Sequence, residues 1–401
     1  MTDDHVPTGT EDDRGWRLET RAIRAGRAHD GNSLAPVLWP STTYWNSSVD
    51  EQLALATSTR PARFYGRNGT PTVQEFEDAV AALEGAQAAL AFGSGMGALS
   101  SVVFALCSAG DHIVAQHRTF SVTSQLFTRV CPRLGIDVTF VDASDAERVA
   151  AAVQPGRTQL VFVETPANPA LDLVDLDLVG SIKGPFTVVD GTFAPPPVQQ
   201  VLSHGVDVVL HAATKGMAGH NDALLGVIAG SRDIIDAVWG YHLVHGAVAS
   251  PFDAWNGLRG IRTLAVRLRQ QCESAARIAS FLEGHPAVAT VRYPGLASHP
   301  QHDVAARQMT SGGSVLTFEL GGGLRAGRRF VESVRLAQVA PSLGGPETLV
   351  VHPPTMTAAT LAPDERIAMG ITDGMVRVSV GLEHVEDLLA DLSQALAAAT
   401  S

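Results

Sequence analysis

An excess of positive charge, a metal-ligand cysteine pattern and an unbroken apolar span are all missing from this 401-residue chain. Its 29 basic and 41 acidic residues leave a net charge of −12, so nothing in the balance favours a nucleic acid or an anionic membrane as partner. The three cysteines, Cys107, Cys131 and Cys272, are odd in number and lack metal-ligand spacing. Each sits in an apolar or helical context and reads as a buried thiol in a reducing cytoplasm. The opening "MTDDHVPTGTEDDRG" is acidic and polar, unlike a secretory leader, and residues 1–16 read as a flexible arm. One charge-free stretch, Gly85–Gly110, is interrupted by "GSGMG". That fits a strand, a loop and a buried helix better than one lipid-exposed helix of about 20 residues. What remains is an ordinary soluble composition, 45% hydrophobic and 17% charged, in a chain long enough for two domains.

Residues 17–60 mix polar and Pro-punctuated pieces without strong periodicity and are expected to cross a surface or reach a neighbouring subunit. From "TPTVQEFEDAVAALEG" the pattern turns helical, with Phe76, Val80 and Leu83 at i, i+4 and i+7. Three apolar, β-branched runs then read as buried strands: 158–165, 186–193 and 206–214. Helical or loop segments separate them, which predicts βαβ units and a parallel sheet over an α/β domain at 61–256. Beyond it, 257–401 reads as an α+β domain. It opens with a long amphipathic helix from "GLRGIRTLAVRL", continues with the strands "GSVLTFEL" and "MVRVSVGL", and ends in the helix "VEDLLADLSQALAAAT".

Each of the three runs ends in polar chemistry: Glu164 and Asn168, then Asp190, then Lys215 inside "VVLHAATKGMAGHND". Ligands of open α/β sheets bind outside the carboxyl ends of the strands, so these groups are expected to converge. A lysine in an apolar pocket becomes a nucleophile toward carbonyls. An aspartate one strand away could hold a pyridinium nitrogen positive, as pyridoxal 5'-phosphate (PLP) requires. "GSGMGA", Gly93–Ala98, offers the Gly-rich turn into a helix that a phosphate needs. Singly, Lys215 and Asp190 could be a solvated strand end and a turn residue. "GSGMGA" also fits a dinucleotide-binding turn, with Arg118 placed for a 2'-phosphate, so an NAD(P)-dependent oxidoreductase stands as the alternative.

From about Glu19 to the C-terminus the chain resembles the cysteine/methionine-metabolism family of PLP-dependent enzymes, which includes cystathionine β- and γ-lyases, cystathionine γ-synthase and methionine γ-lyase. "FYGRNGTPT", "LEGAQAALAFGSGMGA", "VETPANP", "VVDGTF", "AATKGMAGHND", "LRGIRTLAVRL", "PSLGGPETLVVHP" and "VRVSVGLE" carry the resemblance. It implies an aspartate-aminotransferase-like fold, with a mostly parallel seven-stranded sheet and a smaller C-terminal α+β domain. It implies that Lys215 forms the Schiff base and shuttles protons, that Asp190 pairs with the pyridine nitrogen, and that Asn168 contacts the phenolic oxygen. Gly95 and Met96 would offer backbone N–H groups to the phosphate, beside the Thr214 hydroxyl. Tyr65 and Arg67 would reach a neighbouring subunit's phosphate, within a homotetramer built from dimers. Arg377 would clamp the substrate carboxylate, assisted by the backbone of Ser342.

Departures from the family pattern carry their own implications. Phe120 stands where a tyrosine normally stacks on the ring, which keeps the stacking surface and loses the phenol. Gly216 follows the lysine in place of tyrosine, Gly191 replaces asparagine in "DGT", and Ala212 replaces a common serine; Pro346 follows "SLGG". Departing thiolates benefit from a proton, and general-acid help is typically worth about 10²–10⁴-fold. The expectation is therefore elimination or replacement at the γ (or β) carbon of an α-amino acid whose leaving group needs no proton, a halide or activated ester, in specialised metabolism. A conventional cystathionine β-/γ-lyase or γ-synthase is the alternative.

Overall fold

The computed structural model describes residues 15–400, so most of the predicted 1–16 arm lies outside the described residues. Twelve strands occur among them: β1 (Ala88–Phe92), β2 (His112–Gln116), β3 (Asp137–Val141), β4 (Thr158–Glu164), β5 (Phe186–Asp190), β6 (Val208–His211), β7 (Gly226–Gly230), β8 (Val288–Arg292), β9 (Val315–Leu320), β10 (Gln338–Val339), β11 (Leu349–Val351) and β12 (Met375–Ser379). The central, mostly parallel sheet has seven strands in the order β1-β7-β6-β5-β4-β2-β3, and a second sheet has five in the order β10-β11-β12-β9-β8. This is the α/β architecture that the sequence predicts. The chain forms two compact units, Met1–Cys107 with Asp207–Ala265, and Ser108–Val206 with Val266–Ser401.

In the first unit, β1 and β6 both run antiparallel to β7. The predicted helix spans Pro71–Glu84, and its ends explain its bounds. Thr70 accepts the N–H of Val73, Pro71 occupies the first turn, and Gly85 closes the helix in the left-handed conformation. Phe76, Val80 and Leu83 are fully buried, as their spacing predicts. Burial of such side chains contributes about 1.5–3 kcal/mol each. Helix Pro251–Ile261 packs on the same helix, and a Cβ at Gly257 would meet the Phe76 ring at 2.9 Å. Only a glycine admits that approach.

The second unit holds the parallel pairs β2–β3, β2–β4 and β4–β5. It also holds the five-stranded sheet, where the neighbouring pairs β8–β9, β9–β12 and β12–β11 are antiparallel and β10 is parallel to β11. Helices Gly323–Ser333 and Val385–Thr400 belong to this unit, and Phe318, Phe330, Leu388 and Leu392 share one buried core. The long helix predicted from Gly257 onward is in fact two, Pro251–Ile261 and Leu264–Glu283. At the break, the N–H and the hydroxyl of Thr263 both turn back to the carbonyl of Gly260. Such local side-chain bonding competes with the helical ladder.

Candidate active site

In the first unit, helix Gly95–Leu106 starts behind Ser94, whose hydroxyl accepts the N–H of Gly97 at 2.9 Å. No acidic residue occupies its first turn. A Cβ on Gly95 would stand 2.8 Å from the Cβ of Ala212, and one on Gly226 would stand 2.1 Å from the carbonyl oxygen of Ser94. The glycines thus let the helix start press on the turn that carries Lys215. That turn is tied down: the N–H of Lys215 donates to Ala212, and its carbonyl accepts from Gly219 at 2.8 Å. The Thr214 hydroxyl accepts the N–H of Leu225 at 2.8 Å and donates to the Leu225 carbonyl at 3.1 Å. Lys215 is half-buried. Gly95 is therefore brought against the lysine turn, with Met96 beside it in the first turn of the helix. Tyr65 and Arg67 lie on the exposed surface, the Arg67 guanidinium 5.3 Å from the Tyr65 ring centre.

In the second unit, β4 and β5 run in register so that Glu164 lies opposite Asp190. Asp190 accepts the N–H of Thr192 at 2.9 Å. Arg377, in the middle of β12, is buried. One terminal nitrogen donates to the Asn168 side-chain oxygen and the other to the Ser342 carbonyl, each at 2.9 Å. Its guanidinium carbon lies 5.9 Å from the Phe193 ring centre. Among the described residues Arg377 makes no ion pair, its Nε has no hydrogen-bond partner, and burial lowers its pKa to about 10. Ser342 holds its carbonyl there from a φ of 97°, a region that L side chains rarely adopt. Phe120 caps helix Ser121–Gln125, and its N–H donates to Glu164 at 2.9 Å. Sequence reasoning placed Glu164 at a strand end but gave it no task. Arg118, the residue offered for a 2'-phosphate, is paired with Asp172 at 3.0 Å.

The family model for Cys/Met metabolism PLP-dependent enzymes matches residues 19–397. The chain belongs to that family. An L-methionine γ-lyase from Fusobacterium nucleatum subsp. polymorphum is 39% identical over 95% of this chain and 98% of its own. An O-succinylhomoserine sulfhydrylase from Pseudomonas aeruginosa is 39% identical over 96% of each. The crystal structure of metB from Corynebacterium glutamicum superposes with a TM-score of 0.90 at 37% identity, covering 96% of this chain and 99% of that one. The cofactor is accordingly pyridoxal 5'-phosphate, and the "GSGMGA" turn is not that of an oxidoreductase. No helix among the described residues is long and apolar enough to cross a membrane.

The residues of this PLP enzyme fit the cofactor on two observations. A helix start without acid, with Gly95 close against the lysine turn, suits a phosphate. A buried guanidinium with no ion pair among the described residues suits a carboxylate, because an unpaired charge is costly to enclose.

Proposed function

We propose that this enzyme catalyses elimination or replacement at the γ carbon of an α-amino acid whose leaving group departs without a proton, such as a carboxylate ester or a halide. The buried, acid-free Arg377 carries the amino-acid part of this reading, since it matches one substrate carboxylate. Bound pyridoxal phosphate supplies an electron sink for the Cα carbanion. Lys215 holds the cofactor and then, as a free amine, takes the Cα proton and moves protons among Cα, Cβ and Cγ. Asp190 would pair with the ring nitrogen and Asn168 with the phenolic oxygen, while Gly95, Met96 and Thr214 would hold the phosphate. Arg377, held in place by the Ser342 carbonyl, would fix the substrate carboxylate, which keeps the Cα–H in one orientation. Phe120 offers a stacking face and no proton. The methionine lyase and the O-succinylhomoserine sulfhydrylase among the relatives support γ chemistry, and the name of the second includes an ester.

The same reading assigns 17–60 to contact with a neighbouring subunit, 61–256 to cofactor binding and 257–401 to a C-terminal domain, in a cytoplasmic homotetramer. Exposed Leu34, Trp45, Val49 and Leu53, with the surface pair Tyr65 and Arg67, support the assembly. A paired rate comparison tests the reaction, with O-succinylhomoserine and a γ-halo amino acid against cystathionine. Turnover of the first two with cystathionine about 10²–10⁴-fold slower is expected. Cystathionine cleavage at a matching rate sinks the leaving-group proposal. Borohydride fixation of the cofactor to the Lys215 peptide is the accompanying check, the only other lysine being the exposed Lys183.

A further inference from the structure

Glu164 closes β4 with its carboxylate buried, and both oxygens are used on backbone N–H groups. One accepts from Phe120 at 2.9 Å and the other from Asn168 at 2.7 Å. Gln116 reinforces the junction. Its side-chain oxygen accepts the N–H of Glu164 at 2.8 Å, and its amide donates to the carbonyl of Arg118, two residues before Phe120, at 2.9 Å. Asn168 in turn accepts from Arg377, which donates to Ser342. A continuous line therefore runs from the backbone of the stacking residue, through one carboxylate, to the guanidinium that awaits a carboxylate.

We propose that Glu164 is a positioning residue that ties the ring-stacking position of Phe120 to the Asn168–Arg377 clamp, so that a substrate carboxylate in the clamp also tightens Phe120. This rests on the functional reading above. A carboxylate that draws Arg377 also draws on the Asn168 side chain bonded to it, and the Asn168 N–H is held by the same group that holds Phe120. A carboxylate suits the task because it accepts on both oxygens, whereas a glutamine side chain presents one acceptor and one donor. Glu164→Gln therefore leaves one of the two buried N–H groups facing another donor, at a cost that corresponds to about ten-fold in an equilibrium constant.

The test has two parts. In the wild-type holoenzyme, peptide-level hydrogen exchange is followed while propanoate, a carboxylate without an amine, is titrated in. Slowed exchange at both Asn168 and Phe120 is expected; protection confined to the Asn168 segment overturns the coupling. In the variants Glu164→Gln and Glu164→Asp, pyridoxal phosphate affinity is measured by absorbance titration of the apoprotein. The preference of the holoenzyme for a γ-substituted amino acid over the matching amine without a carboxylate is measured alongside. Both quantities should fall about ten-fold in the glutamine variant and less in the aspartate variant. A lowered melting temperature with both quantities at wild-type values reduces Glu164 to a structural residue and refutes the proposal. If the wild type itself shows no preference for the amino acid over the amine, the clamp reading fails instead, and the two failures are told apart. Should neither variant fold, the exchange measurement still decides.

Discussion

Phe120 precedes the short helix Ser121–Gln125 as its N-cap, with its backbone N–H held by Glu164 and the residue 38% exposed. A residue so fixed through its N–H can gain a para-hydroxyl without any demand on the chain behind it. Phe120→Tyr is therefore a mild change to the fold and a large one to the chemistry, since it adds a group that can deliver a proton. Cystathionine turnover should rise by about 10²-fold in this variant, with the rate on an ester substrate within a few-fold of wild type. Steady-state rates on the two substrates check it. If the tyrosine leaves the thioether rate unmoved, the proton comes from another group and the missing phenol says nothing about the leaving group.

At the scale of elements, the seat built from helix Gly95–Leu106 and the lysine turn depends on an approach that side chains would prevent. A Cβ at Gly95 would lie 2.8 Å from the Cβ and 3.1 Å from the Cα of Ala212. Gly95→Ala should force the two apart, lowering stability by about 1–3 kcal/mol. Pyridoxal phosphate affinity should drop with it, and Ala212→Gly in the same chain should restore part of both. Denaturant midpoints and absorbance titrations of the two variants check this; wild-type affinity in Gly95→Ala would mean that the helix start is not the phosphate seat. Much of this arrangement is legible in the sequence. Strands lie within the three predicted runs, ending at Glu164, Asp190 and His211, and a chain with only two lysines marks Lys215, four residues past the third, strongly. Contacts that depend on which backbone groups fold back were not legible. Nothing local says that Glu164 will gather the N–H groups of Phe120 and Asn168, from residues 44 and 4 positions away. Nor does the apolar periodicity across 257–283 reveal the break at Arg262 and Thr263, where a hydroxyl and a close glycine approach outweigh helical propensity. A Cβ at Gly260 would meet the carbonyl oxygen of Ala218 at 2.1 Å.

For the whole molecule, a buried acid gives stability a definite slope with pH. Burial, with Asp30 nearby, raises Glu75 to about 8 in the first unit. Between the ordinary carboxylate pKa of about 4.3 and pH 8, the folded chain keeps a proton that the unfolded chain has lost. Stability from this group is therefore present in acid and declines as pH rises through that window. His242 works in the opposite sense, because burial lowers it to about 4. The unfolded chain binds that proton up to about pH 6.5, so stability from this group rises as pH rises from 4 to 6.5. The two terms oppose each other below pH 6.5. Between pH 6.5 and 8, Glu75 contributes a fall of at most about 1.4 kcal/mol per pH unit to holoenzyme stability. Denaturant unfolding at fixed ionic strength across pH 5–8 checks it. Glu75→Gln, which lies outside the proposed active site, should remove that contribution to the slope. A slope equal to the wild type's in Glu75→Gln would show that Glu75 is already ionised in the folded chain at neutral pH, held by Arg262 and the His29 N–H.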